Sequence, residues 1–123
     1  MSAAGDYRDS HCRPGKGESY HAAFANNPYR RMVWAMEQAV LDRIWEEYVE
    51  KPRPTHLDFA CGTGRILGFL GGRMAQSTGV DVSAEMLAVA RRENPDAEIF
   101  EADLTRDDVL GGRTFDFITA FRF

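Results

Sequence analysis

Cysteine is scarce in this sequence: of 123 residues, only Cys12 and Cys61 are cysteines. Two thiols make no disulfide framework. His11-Cys12 supplies too few ligands for a metal, which needs three or four, so no metal is expected. A basic tract is also missing, and the formal net charge is -4. Little is available to neutralise a phosphate backbone, so nucleic acid is disfavoured as a partner. Long apolar runs are absent. No window approaches the ~20 residues that span a bilayer, and Met1–Arg8 carries no stretch of signal-peptide kind. No membrane partner is expected, and a cytoplasmic setting is the default. What remains is 44% hydrophobic and 28% charged, the composition of a globular domain.

The first 26 residues are set apart as an N-terminal arm or lid, and residues 27–123 as one α/β domain. Asn27-Pro28 reads as a cap followed by proline at the first helical position. Val33, Met36, Val40, Ile44 and Tyr48 recur at helical spacing over Tyr29–Tyr48, and Pro52 and Pro54 follow the helix end. Trp34 and Trp45 on that helix are core or interface residues. The spacing then predicts a strand over Thr55–Phe59 and a helix over Arg65–Leu70, stopped by Gly71-Gly72. A strand over Ser77–Val82 follows, then a helix over Glu85–Glu93 capped by Ser83. A third strand covers Ala97–Ala102, a helical turn Asp107–Leu110, and a fourth strand Phe115–Phe121. This alternation implies a parallel sheet, here with order 3-2-1-4.

The first strand runs directly into Ala60-Cys61-Gly62-Thr63-Gly64. Glycines at such a turn let backbone approach a ligand closely. Asp81 ends the second strand, where an acid can accept two hydrogen bonds from a ribose diol; capping of the next helix is the competing role. Asp103 ends the third strand and can accept from an exocyclic adenine amine. Asp116 sits at the start of the fourth strand, at the wrong sheet end for ligand chemistry, and reads as structural. Two familiar phosphate motifs are missing. G-x-G-x-x-G needs a glycine where Leu67 stands, and G-x-x-x-x-G-K-[ST] does not occur.

His56–Arg65 resembles motif I of the class I, Rossmann-like S-adenosylmethionine-dependent methyltransferases. Thr78–Leu87, Ala102-Asp103-Leu104 and Phe115–Ile118 resemble the family's next three motifs, in the correct order. The resemblance implies a three-layer Rossmann-like fold and S-adenosyl-L-methionine as cofactor. It implies that Asp58 and the loop Ala60, Cys61, Gly62, Thr63 and Gly64 hold the methionine moiety. Asp81 would hold the ribose, Met86 or Val82 would lie near the adenine, and Asp103 would take the adenine amine with Leu104 on the ring. Ala120 would line the approach to the donor methyl, and Tyr20 would close the pocket, although Tyr20 and Phe24 packing on the sheet is an equal reading. No catalytic residue is assigned.

The sequence departs from the family in two places. Ala60 stands where glycine is usual. The family's sheet normally has seven strands and this sequence supplies four, so the domain is expected to be incomplete at its C-terminus. Further residues or a partner chain would complete it, and the open fourth-strand edge suits a homo-oligomer. The expected function is S-adenosylmethionine binding within a methyltransferase acting on a small-molecule acceptor. A catalytically inert interaction protein and an NAD-type binder are the alternatives.

Overall fold

The computed structural model describes residues 27–121; the expected arm 1–26, with Tyr20, lies outside them. The first helix, α1, spans Pro28–Tyr48. The Asn27 side-chain oxygen accepts from the N–H groups of Tyr29 and Arg30 at 3.0 and 3.2 Å, which satisfies donors that a helix start leaves orphaned. The face of α1 that packs is not the stripe that signals the helix. Leu41 is buried, and Trp34 and Trp45 join it against Ile66, Leu70 and Met74. Met36 and Tyr48 remain 62% and 73% exposed. The helix carries two apolar stripes, and the one with the two indoles removes more surface from water.

Four strands follow: β1 (Thr55–Phe59), β2 (Gln76–Asp81), β3 (Glu98–Glu101) and β4 (Phe117–Ala120). They form one parallel sheet of order β3-β2-β1-β4, as the alternation predicts. Helix α2 (Arg65–Leu70) connects β1 to β2, and α3 (Ala84–Glu93) connects β2 to β3. β4 is shorter than expected. Its approach is held instead by Asp116, whose carboxylate accepts from the Thr55 N–H at 2.9 Å and pairs with Lys51 at 3.2 Å. These bonds hold the Asp116 carboxyl below its ordinary range and bear out its structural role. The helical turn expected at Asp107–Leu110 does not form. The chain turns earlier, with the Asp103 carbonyl accepting from the N–H groups of Arg106 and Asp107. The Asp107 carboxylate returns a bond to the Asp103 N–H, and this reciprocal pair draws the turn forward.

The register places His56, Asp58, Gly79, Ile99, Phe117 and Thr119 on one face of the sheet. The three α-helices of the described residues lie on that face: Phe117 meets Trp45 of α1, while Ile99 packs on the Leu67, Leu87 and Ala90 cluster of α2 and α3. Leu57 and Val80 point the other way and are covered by Ala102, Leu104, Leu110 and Phe115. The layers are therefore helices, sheet, and the irregular segment before β4.

Candidate functional site

In a parallel sheet, side chains at the carboxyl ends of neighbouring strands converge on one rim. Here that rim carries Asp58 near the end of β1, Asp81 at the end of β2 and Asp103 just beyond β3. The loop Ala60–Gly64 lies between β1 and α2. It is drawn tight by three left-handed residues: Ala60 at φ 57°, Gly62 at φ 57° and Gly64 at φ 87°. Only Ala60 bears a Cβ there, in a conformation that costs an L-residue about 1–2 kcal/mol. That strain is the physical reason a glycine is usual at this position.

Gly64 has a second constraint. A Cβ on it would lie 2.6 Å from the Asn94 amide nitrogen and 3.2 Å from the Ala90 Cβ. Asn94 itself donates to the carbonyls of Gly64 and Ala90 at 3.2 and 3.1 Å. It thus ties the loop to the last turn of α3. In the sequence Asn94-Pro95 signals only a helix break, and this tie is missed. Gly79 allows a further close approach: a Cβ there would meet Leu67 Cδ1 at 2.7 Å and Cys61 Sγ at 2.8 Å. Leu67 is thus a core residue at the position a third fingerprint glycine would occupy.

Asp81 is buried, and its carboxylate is heavily used. Oδ2 accepts from the Gly62 N–H at 2.9 Å. Oδ1 accepts from the N–H groups of Val82 and Ser83 at 2.7 and 3.1 Å. Ser83 caps α3 by accepting from the Met86 N–H at 3.3 Å. A carboxylate offers about four lone-pair sites, so roughly one remains for a ligand rather than the two a ribose diol would ask for. Asp81 therefore builds the loop as well as facing the rim. Met86, expected beside adenine, is 1% exposed; a Cβ on Gly62 would sit 3.6 Å from its sulfur, so it supports the loop from below. Val82 and Leu104 are half-buried and Ala120 is exposed. The Asp103 carboxylate accepts from the Thr105 N–H and hydroxyl at 3.0 and 2.5 Å.

Asp58 is the most perturbed acid among the described residues. Burial pushes its pKa from 3.8 up to about 7; the negative charge of Asp81 adds to this, and the Thr119 hydroxyl and the Arg65 charge oppose it. Thr119 donates to Asp58 Oδ1 at 2.7 Å, and His56 Nε2 lies 2.8 Å from the Thr119 oxygen. Neither His56 nor Thr119 stands out in the sequence as a site residue. They meet Asp58 only because β4 pairs with β1 in parallel register. Cys61 is buried, and burial pushes its thiol well above the usual range. It stays a thiol and is no nucleophile.

This rim is rich in hydrogen-bond acceptors, and the implied cofactor is rich in donors. S-adenosylmethionine brings an ammonium, a ribose diol and an adenine amine, all hydrogen-bond donors. Asp58, Asp81 and Asp103 place three carboxylates, which accept such bonds, at one sheet rim. The mutual repulsion of Asp58 and Asp81 is relieved by a cationic group, and the Thr63 hydroxyl, buried in the loop, has no partner among the described residues. The residues fit the group. Among the described residues no helix is long and apolar enough to cross a membrane.

Comparison with known proteins agrees with this chemistry. A family model described as a methyltransferase domain matches residues 57–123. A dTDP-3-amino-3,6-dideoxy-alpha-D-glucopyranose N,N-dimethyltransferase of Streptomyces fradiae is 48% identical over 99 residues, covering 80% of this chain and 32% of its own length. The S-adenosylmethionine-bound structure of CalS10, an amino pentose methyltransferase from Micromonospora echinaspora involved in calicheamicin biosynthesis, superposes with a TM-score of 0.67 at 30% identity, over 85% of this chain and 42% of that one. The sugar N-methyltransferase KedS8 from a Streptoalloteichus species gives 0.65 at 27% identity, over 85% of this chain and 39% of its own. The chain thus spans about a third of the curated relative's length.

Proposed function

This chain belongs to the methyltransferase-domain family, with the class I fold and S-adenosylmethionine as its cofactor, and from that premise we propose that it is the cofactor-binding part of an enzyme that methylates the amine of a nucleotide-linked amino sugar. The observation that carries the cofactor half is the row of carboxylates, Asp58, Asp81 and Asp103, along one sheet rim beside a left-handed glycine loop. Asp58 and the loop Ala60, Cys61, Gly62, Thr63 and Gly64 hold the methionine moiety. Asp81 takes one ribose hydroxyl. Val82, Asp103 and Leu104 take the adenine, with Met86 beneath the loop, and Ala120 lines the approach to the methyl.

The acceptor class is supported by the names of the similar proteins, which act on amino sugars. When bound, the cofactor supplies a methyl group on a good leaving group. An amine attacks with its own lone pair, so the protein's task is mainly alignment, which can be worth about 7–11 kcal/mol. No strong base is required of the residues at the rim. The enzyme is cytoplasmic.

The test is transfer of labelled methyl from S-adenosylmethionine by the full-length protein. The expected substrate is a dTDP-linked 3-amino sugar, and the same sugar bearing a hydroxyl in place of the amine should be inert. Equal labelling of both sugars, or of neither, contradicts the acceptor assignment.

A further inference from the structure

Beneath the rim, β1 and β4 are joined by a buried side-chain chain in which the cofactor reading uses Asp58 but neither Thr119 nor His56. Asp58 and Thr119 are register partners, and His56 lies two residues before Asp58 on the same face. All three are buried: His56 is 0% exposed, Asp58 2% and Thr119 5%. The Thr119 hydroxyl has one proton, and it goes to Asp58 Oδ1 at 2.7 Å. Its oxygen can then only accept from His56 Nε2 at 2.8 Å. That assigns the Nε2–H tautomer to His56 and leaves Nδ1 as a buried acceptor without a partner among the described residues. Phe117 stacks edge-on against the imidazole, with ring centroids 5.9 Å apart, which fixes its plane.

The geometry points to Thr119, backed by His56, as a positioning residue for the cofactor: the chain His56–Thr119–Asp58 holds the Asp58 carboxylate ionised and oriented toward the ammonium of the methionine moiety. The inference rests on the reading that Asp58 faces that ammonium. An ammonium needs a carboxylate, not a carboxylic acid, as its acceptor. A hydrogen bond donated to the ionised form favours that form. The groups facing Asp58 are Asp81 from β2, Arg65 from α2, Cys61 from the loop, and the chain itself from β1 and β4. Arg65 stays charged and Cys61 stays a thiol. His56, lowered by burial to about 4, stays neutral. Burial lifts Asp58 to about 7, near neutrality, and Thr119 is the donor that moves its titration.

The experiment is titration calorimetry of S-adenosylhomocysteine with the full-length protein between about pH 6 and 8, where Asp58 changes charge. Wild-type affinity should rise with pH. Thr119→Val should bind about tenfold more weakly at the acid end, as a shift of about one pKa unit requires, and should approach wild type at the alkaline end. Thr119→Ser should follow wild type throughout. Thr119→Ala removes the same donor without adding bulk and serves if Thr119→Val does not fold. A Thr119→Val affinity lowered by one constant factor at every pH, or not lowered at all, overturns the proposal. Asp58→Asn separates the two readings. If it binds as wild type does, Asp58 does not face the ammonium. If it binds weakly and without pH dependence while Thr119→Val follows wild type, only the role of Thr119 fails.

Discussion

Replacing Asp81 by alanine removes an acceptor from three backbone N–H groups at once: Gly62 in the loop, and Val82 and Ser83 at the start of α3. Hydrogen bonds to a charged acceptor contribute about 1.5–3 kcal/mol each, but they are not additive. Gly62 and Val82 are half-buried, and water can replace the lost acceptor there. Ser83 is 0% exposed, so its N–H is left dry, at a cost of about 1–3 kcal/mol. Against this, Asp58 loses a repelling neighbour, which returns part of the loss. The net expectation for Asp81→Ala is a destabilisation of about 2–4 kcal/mol, or a fall in melting temperature of roughly 8–16 °C for a domain of this size. Binding of S-adenosylhomocysteine should weaken as well, because the loop loses its anchor along with the ribose acceptor. Asp116→Ala is the comparison, since that carboxylate lies at the opposite sheet end and should leave ligand affinity unchanged. Urea unfolding and calorimetry on both variants decide the matter. If Asp81→Ala unfolds at the wild-type urea concentration, the carboxylate does not build the loop and the reasoning is refuted.

Two further substitutions probe strain and charge. Ala60→Gly should stabilise the protein by about 0.5–1 kcal/mol, because relief of the left-handed backbone outweighs the entropy of an added glycine; a loss of stability in urea melts would contradict the strain at φ 57°. The pH dependence of stability carries two opposing slopes. His56 is lowered from 6.5 to about 4, so its contribution is present above its unfolded pKa and is lost as pH falls toward 4. Asp58 is raised from 3.8 to about 7, so its contribution is full below its unfolded pKa and is lost as pH rises through 7. The two offset one another over about pH 4–6.5. His56→Leu removes one of them, and stability should then climb as the solution is acidified from pH 7; a profile as flat as wild type's would count against these buried titrations.

The features legible in the sequence are those carried by short segments. Asp58 through Gly64 reads as strand, glycine turn and helix start because the apolar run, the two glycines and the next apolar run are contiguous. Asp116 reads as structural because its place at the start of β4 puts it at the wrong end of a parallel sheet. The packing face of α1 was half legible: Trp34 and Trp45 read as core or interface residues and do pack in the core, but the apolar stripe read beside them does not. Met36, Val40, Ile44 and Tyr48 keep helical spacing as well as Trp34, Leu41 and Trp45 do, and only the tertiary partners Ile66, Leu70 and Phe117 decide between them. The second duty of Asp81 was half visible, since capping of the next helix competes with ribose recognition from the start. Its bond to Gly62 spans the β1–α2 loop and needs the fold. Thr119 and His56 were silent for the same reason: they are far apart in sequence and meet only through the β1–β4 register.

The central claim is that this sheet rim is built for S-adenosylmethionine. Titration calorimetry of the full-length protein with S-adenosylhomocysteine and, separately, with NAD tests it most directly. The account predicts one-to-one binding of S-adenosylhomocysteine that weakens in Asp58→Asn, and no heat with NAD. Saturable binding of NAD with none of S-adenosylhomocysteine would contradict it.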